Sequence, residues 1–417
     1  MTSVGNGGEA GNRTRPRPFI ALRHRNFRIF WLGQAVSLIG TWMQSVGQVW
    51  LVLQLTNSSF LLGVVSSLQF APVLFLSLFA GTIIDRFPKR RILLITQASL
   101  MMLALVLGTL TAIGVVRYWH ILVLATLLGI VQALDNPTRQ AFIIELAGKN
   151  DLMNAIALNS MNVNIARIVG PAMAGVLMGV LGIAAAFYAN ALSFVAVLIS
   201  LLLIRVQNQP RLDMDKNILS NIATGLAYIR RTPVVLTTIL LVAVISAFSM
   251  NFNVLVPVYA RNVLGLNAQG YGLLMSAMGT GALVGALGLA SFSSGGPRRV
   301  VLLAGAAGLP LMEIAIAPVR SFALAALLLA LAGWSMISFF ASANTTVQVN
   351  TPDQYRGRVM SVYTLVFTGT TPFGSLFAGS ISHWAGAPIA LLAGGVAGLC
   401  AAVPAILKRR SWFRRPR

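Results

Sequence analysis

Two charged side chains sit inside long apolar stretches: Arg167 and Glu313. An ionisable group in such a place faces protein or water rather than lipid, and marks a pathway, a proton relay or a buried tie. Arg167 is the single cation within an apolar run, about 12 residues in and so near its middle. It reads either as a contact for an anion or polar group of a substrate, or as a structural tie to a carbonyl or Asn of a neighbour. Glu313 lies near the end of its run. It can carry a coupling proton, or reach the interface or Arg320. Asp135 and Glu145, near the end of another run, read as structural or gating groups, with Asp135 a further candidate for coupling.

Uncharged polar residues form stripes at steps of three or four, the spacing of one helix face. Gln34, Ser37, Thr41, Gln44 and Gln48 make one stripe, and Ser160, Asn164 and Arg167 another. Ser246, Ser249 and Asn253 make a third; Ser335, Ser338, Ser342 and Thr345 a fourth; Ser361, Thr364, Thr368 and Thr371 a fifth. A lone Ser suits helix packing. Three glutamines on one face call for water or partners, which points to a wet pathway. Its expected lining is Gln34, Thr41, Gln44, Gln48, Asn164, Arg167, Ser249, Asn253, Ser338 and Ser342, with Trp42, Phe252 and Phe340 either beside it or in packing.

Other chemistry is missing. His24, His120 and His383 are scattered and Cys400 is the sole cysteine, so neither a metal site nor an intrachain disulfide is expected. Gly279-Thr280-Gly281 lacks the Gly-Lys-Ser/Thr of a phosphate loop. No cofactor and no enzymatic activity are expected.

The elements that hold these residues follow from composition. Of 417 residues, 57% are hydrophobic and 10% charged, against roughly 25% charged in soluble domains. The expectation is an all-α polytopic membrane protein, with apolar runs near 27–52, 59–83, 92–114, 119–139, 155–180 and 183–205. After a polar segment come 234–258, 270–292, 300–317, 321–345, 357–380 and 386–407. Each suits a span of about 20 residues and is too long for a barrel strand of about 10. The organisation is a basic tail (1–25), a first bundle (26–205), a linker (206–233), a second bundle (234–407) and a basic tail (408–417). Within the linker, Ile218, Ile222, Leu226 and Ile229 space an amphipathic helix over Ile218 to Arg231.

The net charge of +22 would suggest nucleic acid in a soluble protein, but the bases cluster between apolar runs, where they meet lipid head groups. Of the 31 Lys and Arg, 27 fall in one set of connections, while Arg117, Arg261 and Arg320 alone occupy the other. This asymmetry places both termini in the cytoplasm of a plasma-membrane protein. The halves echo each other: Arg90-Arg91-Ile92-Leu93-Leu94 parallels Arg298-Arg299-Val300-Val301-Leu302. Asp151 precedes Pro171 by 20 residues and Asp353 precedes Pro372 by 19, as in transporters built from repeats.

Gly81-Thr82-Ile83-Ile84-Asp85-Arg86-Phe87-Pro88-Lys89-Arg90-Arg91 carries a family signature. Its residues alone describe a positive-inside anchor with one acid, in which Gly81 permits close helix approach. Gly40-Thr41-Trp42-Met43-Gln44, Asp135-Asn136-Pro137-Thr138-Arg139-Gln140 closing the fourth run, and Arg356-Gly357-Arg358-Val359-Met360-Ser361 add to it. From Phe27 to Leu407 the chain resembles the major facilitator superfamily, in its drug-exporter branch of enterobactin-exporter-like proteins, or transmembrane secretion effectors. The resemblance implies twelve spans in two six-helix bundles. It also implies proton-coupled export of amphipathic small molecules, drug or siderophore-like, by a monomer; a lysophospholipid flippase on the same scaffold is the alternative. By resemblance, Gly81, Asp85, Arg86, Lys89, Arg90, Asp135, Arg139, Arg356 and Arg358 gate, with Asp135 pairing with Lys89 or Arg90. Gly170, Pro171 and Gly175 resemble an antiporter signature. Many multidrug members carry an acid in the first span, and none lies there in this chain.

Overall fold

The computed structural model describes residues 19–204, 218–292 and 299–407. Most of both expected tails and the first part of the linker lie outside the described residues. The rest is helical: α1 (Arg25–Thr56), α2 (Ser59–Arg86), α3 (Lys89–Ala112), α4 (Tyr118–Leu181), α5 (Ile183–Leu203), α6 (Ile218–Arg231) and α7 (Pro233–Phe248). Then come α8 (Phe252–Asn262), α9 (Ala268–Phe292), α10 (Arg299–Ile316), α11 (Phe322–Val349), α12 (Asp353–Gly369), α13 (Thr371–Ala385) and α14 (Ala387–Leu407).

Eleven stretches among the described residues are long and apolar enough to cross a bilayer. The eleventh run is split into α12 and α13 at Thr370, so neither piece alone has the required length. The seventh is split likewise between Phe248 and Phe252, into α7 and α8. The fourth run does not close at Asp135. Its helix passes through Pro137 to Gly148, whose φ of 70° turns the chain into the fifth run. Proline removes one backbone donor, and a long packed helix tolerates that loss.

In the first half α1 packs on α4 and α5, and α2 and α3 pack on α4; in the second, α9 packs on α11, and α10 on α11 and α14. The amphipathic helix forms over the expected residues. Its Ile229 is buried, its Tyr228 hydroxyl donates to Asn350 O at 2.9 Å, and its Tyr228 ring stacks on Tyr355.

Two seams join the halves, α2 with α13 and the second part of α4 with α9. They are built alike. Ser67 Oγ donates to Pro372 O at 2.6 Å, and Ser276 Oγ donates to Ile168 O at 2.8 Å. Four residues before each serine stands a glycine, Gly63 or Gly272. A Cβ on Gly63 would come within 2.5 Å of Ser375 O, and one on Gly272 would collide with Pro171 O. The acceptors keep the same spacing: Pro372, Ser375 and Gly379 on one seam, Ile168, Pro171 and Gly175 on the other. The internal repeat is thus expressed as contact chemistry, with small residues letting backbones meet where apolar burial gives no drive.

Both seams lie at the end remote from the basic loops. There Arg261 Nη1 also donates to Leu53 O at 2.6 Å, and Trp50 stacks on Tyr271. Of the hydrogen bonds and close glycine approaches between the halves, none among the described residues lies nearer the basic end than Gly279 against Arg167 and Gly369 against Leu74. Among the described residues, the hydrogen bonds that join the halves gather at the end remote from the basic loops.

Candidate functional site

Arg167 sits where those contacts begin. Its backbone carbonyl lies against Gly279 of α9, and the next residue begins the seam. Pro171, four residues on, has no N–H for that carbonyl, which frees it to face the other half. The guanidinium lies over the Trp42 ring, 5.5 Å from Cζ to the centroid, a cation–π contact. Gly170 makes this possible, because a Cβ there would meet Trp42 Cβ at 2.5 Å. Arg167 Nη1 is buried without a hydrogen-bond partner.

Toward the basic end the same helix face continues through half-buried Asn164 to exposed Ser160. Ile165, Met173, Val176 and Val180 are exposed on the opposite side of the helix, while the exposed Ile156 and Met153 continue the side of Asn164 and Ser160 toward the basic end. The polar lane thus lies on the side of the helix that meets α9 farther along. Asn164 Nδ2 donates to Ser160 O at 2.8 Å, which leaves Asn164 Oδ1 buried and unpartnered.

The other expected lining residues divide. Asn253 is exposed and shares a small crevice with Gln48, Gln69, Ser45 and Ser66, about 370 Å³ including its mouth. There Gln48 Nε2 donates to Gln69 Oε1 at 3.2 Å. Thr41 is half-buried and bonded to Ser37 O of its own helix. Gln44 does not face a pathway, since its Oε1 accepts from Asn190 of α5 at 2.6 Å inside the first bundle. Gln34, Ser338 and Ser342 are buried, and Gln34 has no partner for either amide atom. Ser249 is buried and donates to Gly394 O at 3.0 Å, so it belongs to the second bundle's core.

Glu313 is fully buried and faces neither the interface nor Arg320. Its Oε1 lies by Gly394, and the Ser249 hydroxyl lies beside it. Its helix is outer in sequence order, yet the side chain points inward to the break after α7.

The gating residues also depart from expectation. Asp135 pairs with Arg139 one turn on, while its Oδ1 accepts from Thr96 at 2.6 Å and Gln97 at 2.8 Å. Lys89 instead pairs with Glu145 at 2.9 Å, and Arg90 donates to Leu201 O and Leu202 O, where a helix end exposes carbonyls. A Cβ on Gly81 would meet nothing within 4 Å, so no helix approaches it here. Arg86 is exposed, Arg356 pairs with Asp353 at 2.7 Å, and the Arg358 backbone supports Gly225 of α6. The Asp85 side chain lies outside the described residues. Gly175 belongs to the α4–α9 seam, its missing Cβ giving room to Gln269. Sequence reasoning overlooked the seam residues Gly63, Ser67, Gly272 and Ser276, although the repeated Gly-x-x-x-Ser was there to find.

Residues 17–412 match the family model described as transmembrane secretion effector. The chain belongs to this family of the major facilitator superfamily. Its members, this chain included, are membrane transporters rather than enzymes. The chain is 28% identical to the staphyloferrin A transporter of Staphylococcus aureus, with 84% of this chain and 87% of that protein covered. It is 27% identical to the multidrug efflux pump Tap of Mycolicibacterium fortuitum, covering 82% and 86%. The fold matches a bacterial homologue of the human lysosomal transporter Spinster in an inward-facing, occupied conformation, at 15% identity and a TM-score of 0.76, over 95% of this chain and 99% of that one. A D-xylose–proton symporter matches with a TM-score of 0.70 at 15% identity, covering 91% and 97%.

Proposed function

We propose that this family member exports amphipathic small molecules from the cytoplasm against proton influx, as a single chain working by alternating access. One observation carries the reading: two matched seams close the far end, while at the basic end a polar lane leads in to Arg167. The bias of Lys and Arg puts the basic end in the cytoplasm, so this is the inward-open state. Substrate enters along Ser160 and Asn164 and rests against Arg167 and Trp42. The seams then part, and the bare face at Gly81 receives the other half as the Gly81–Arg91 loop and the Arg356–Arg358 segment approach. A siderophore transporter and a drug pump among the relatives support such cargo over a lipid.

Glu313 is the proton carrier in this reading. The Ser249 hydroxyl beside it also donates to Gly394 O, so one shared proton is all that it offers the carboxyl. A carboxylate must compete with Gly394 O for that proton, whereas a carboxylic acid can donate to the hydroxyl's lone pair. Protonation therefore changes the contacts at the break after α7, which is what a ligand must do to shift a two-state equilibrium. The test is efflux of a fluorescent amphipathic small molecule from proteoliposomes with an imposed pH gradient. Accumulation that follows the gradient and stops when it is collapsed is the expected result. Transport indifferent to the gradient would remove the coupling.

A further inference from the structure

Among the described residues Arg167 has no counterion. The chain has nine Asp and Glu. Among those with described side chains, Asp135, Glu145, Asp151 and Asp353 each face a base, and Glu313 stands against Ser249 in the other half. The Trp42 ring covers a face of the guanidinium, which leaves its in-plane N–H groups for a ligand. A guanidinium edge matches a carboxylate in two parallel hydrogen bonds.

A second unmet group lies one turn toward the open end. Asn164 Oδ1 is buried with no donor, and its orientation is fixed because Nδ2 is engaged with Ser160 O. The two positions are three residues apart, about 4.5 Å along the helix. The lane therefore presents a positive donor, then a neutral acceptor, beside a half-buried indole.

We propose that this site selects anionic amphiphiles in which a carboxylate stands close to a hydroxyl or amide donor. The carboxylate pairs with Arg167, the neighbouring O–H or N–H donates to Asn164 Oδ1, and the apolar body lies along Trp42. Cationic amphiphiles are disfavoured, because no described acid lines the lane and Arg167 repels them. This rests on the export pathway proposed above and names the class of its cargo.

The test is a matched set: 2-hydroxy-3-(2-naphthyl)propanoate, its methyl amide, the acid lacking the hydroxyl, and 2-(2-naphthyl)ethylammonium. Binding to the full-length protein in nanodiscs is read by thermal stabilisation, and transport by gradient-driven movement in proteoliposomes. The hydroxy acid should bind at least about tenfold more tightly than the amide or the ammonium, the loss expected when a buried charged group has no partner. Arg167→Gln should erase the preference for acid over amide, Arg167→Lys should restore part of it, and Asn164→Leu should erase the preference for hydroxy over deoxy acid. An ammonium bound as tightly as the acid, or an acid preference that survives Arg167→Gln, overturns the proposal. If a variant does not fold, the wild-type ranking alone decides. Selective binding of the hydroxy acid without gradient-driven movement upholds the recognition and sinks the exporter reading. Movement of the ammonium alone does the reverse, and no binding by any member overturns both.

Discussion

The first half buries Asp135 and the second buries Glu313, each fully out of solvent, yet their surroundings are opposite. Asp135 meets Arg139, Thr96 and Gln97, so every lone pair that matters to a carboxylate faces a donor. Glu313 has Ser249, whose single proton is shared with Gly394 O, and a cleft of glycine backbone. Burial alone does not distinguish a structural acid from one that can change its proton; the donor count around it does. A duplicated scaffold can hold one carboxylate fixed in one copy and leave another free to respond.

The largest effect that would sharpen this contrast is on stability. Asp135→Asn should lower the unfolding free energy by about 3 kcal/mol, because it removes the buried acceptor of three donors and leaves the half-buried Arg139 without its charge partner. Thermal unfolding in nanodiscs measures it, and Asp135→Asn combined with Arg139→Gln should recover part of the loss. Glu313→Gln should leave unfolding almost unchanged while gradient-driven transport falls about tenfold, a barrier change of about 1.4 kcal/mol. Equal loss of stability in the two variants would erase the distinction between the acids.

Carbodiimides modify protonated carboxyl groups in apolar surroundings. Treatment with dicyclohexylcarbodiimide followed by mass spectrometry of peptides should find Glu313 labelled and Asp135 untouched, and labelling of both would break the comparison. Gly272→Ala pushes a Cβ onto Pro171 O and should disfavour the closed far end. Crosslinking by a bifunctional thiol reagent between cysteines placed at positions 50 and 271, whose rings stack across the closed end, should then fall severalfold, with Gly63→Ala acting the same way on its own seam. Asp135 should remain unlabelled in both. The smallest change is expected at the partly exposed Lys89–Glu145 pair, where Lys89→Ala should cost about 0.5 kcal/mol, as surface pairs do.

Much of the architecture was legible in the sequence. The run lengths gave the spans, the Lys and Arg bias named one end, and Ile218 to Arg231 read as a surface helix and forms one. The break at Thr370 and the one after Phe248 left no comparable trace, because a helix break inside a bundle depends on which carbonyls a neighbour approaches. Gly374 closes on Ala247 and Asn251 just where α7 ends.

The site was half legible. Arg167 declared itself by charge and position. Trp42 as its companion, and the absence of an acid beside it, needed the helices set against each other. The helix-one glutamines illustrate the limit: spacing placed Gln44 and Gln48 on one stripe, but Gln44 bonds to Asn190 within its bundle and Gln48 faces the crevice.

What the sequence determined by itself was the local ledger of this protein: which stretches prefer lipid, which end carries charge, and which polar atoms need an answer. What tertiary structure alone decided was the answer each atom received, including the pairing of Asp135 with Arg139, the isolation of Glu313 and the two seams built alike. Apolarity and charge are properties of a residue, whereas a donor within 3 Å is a property of its neighbours, and distant parts of the chain bring those neighbours together.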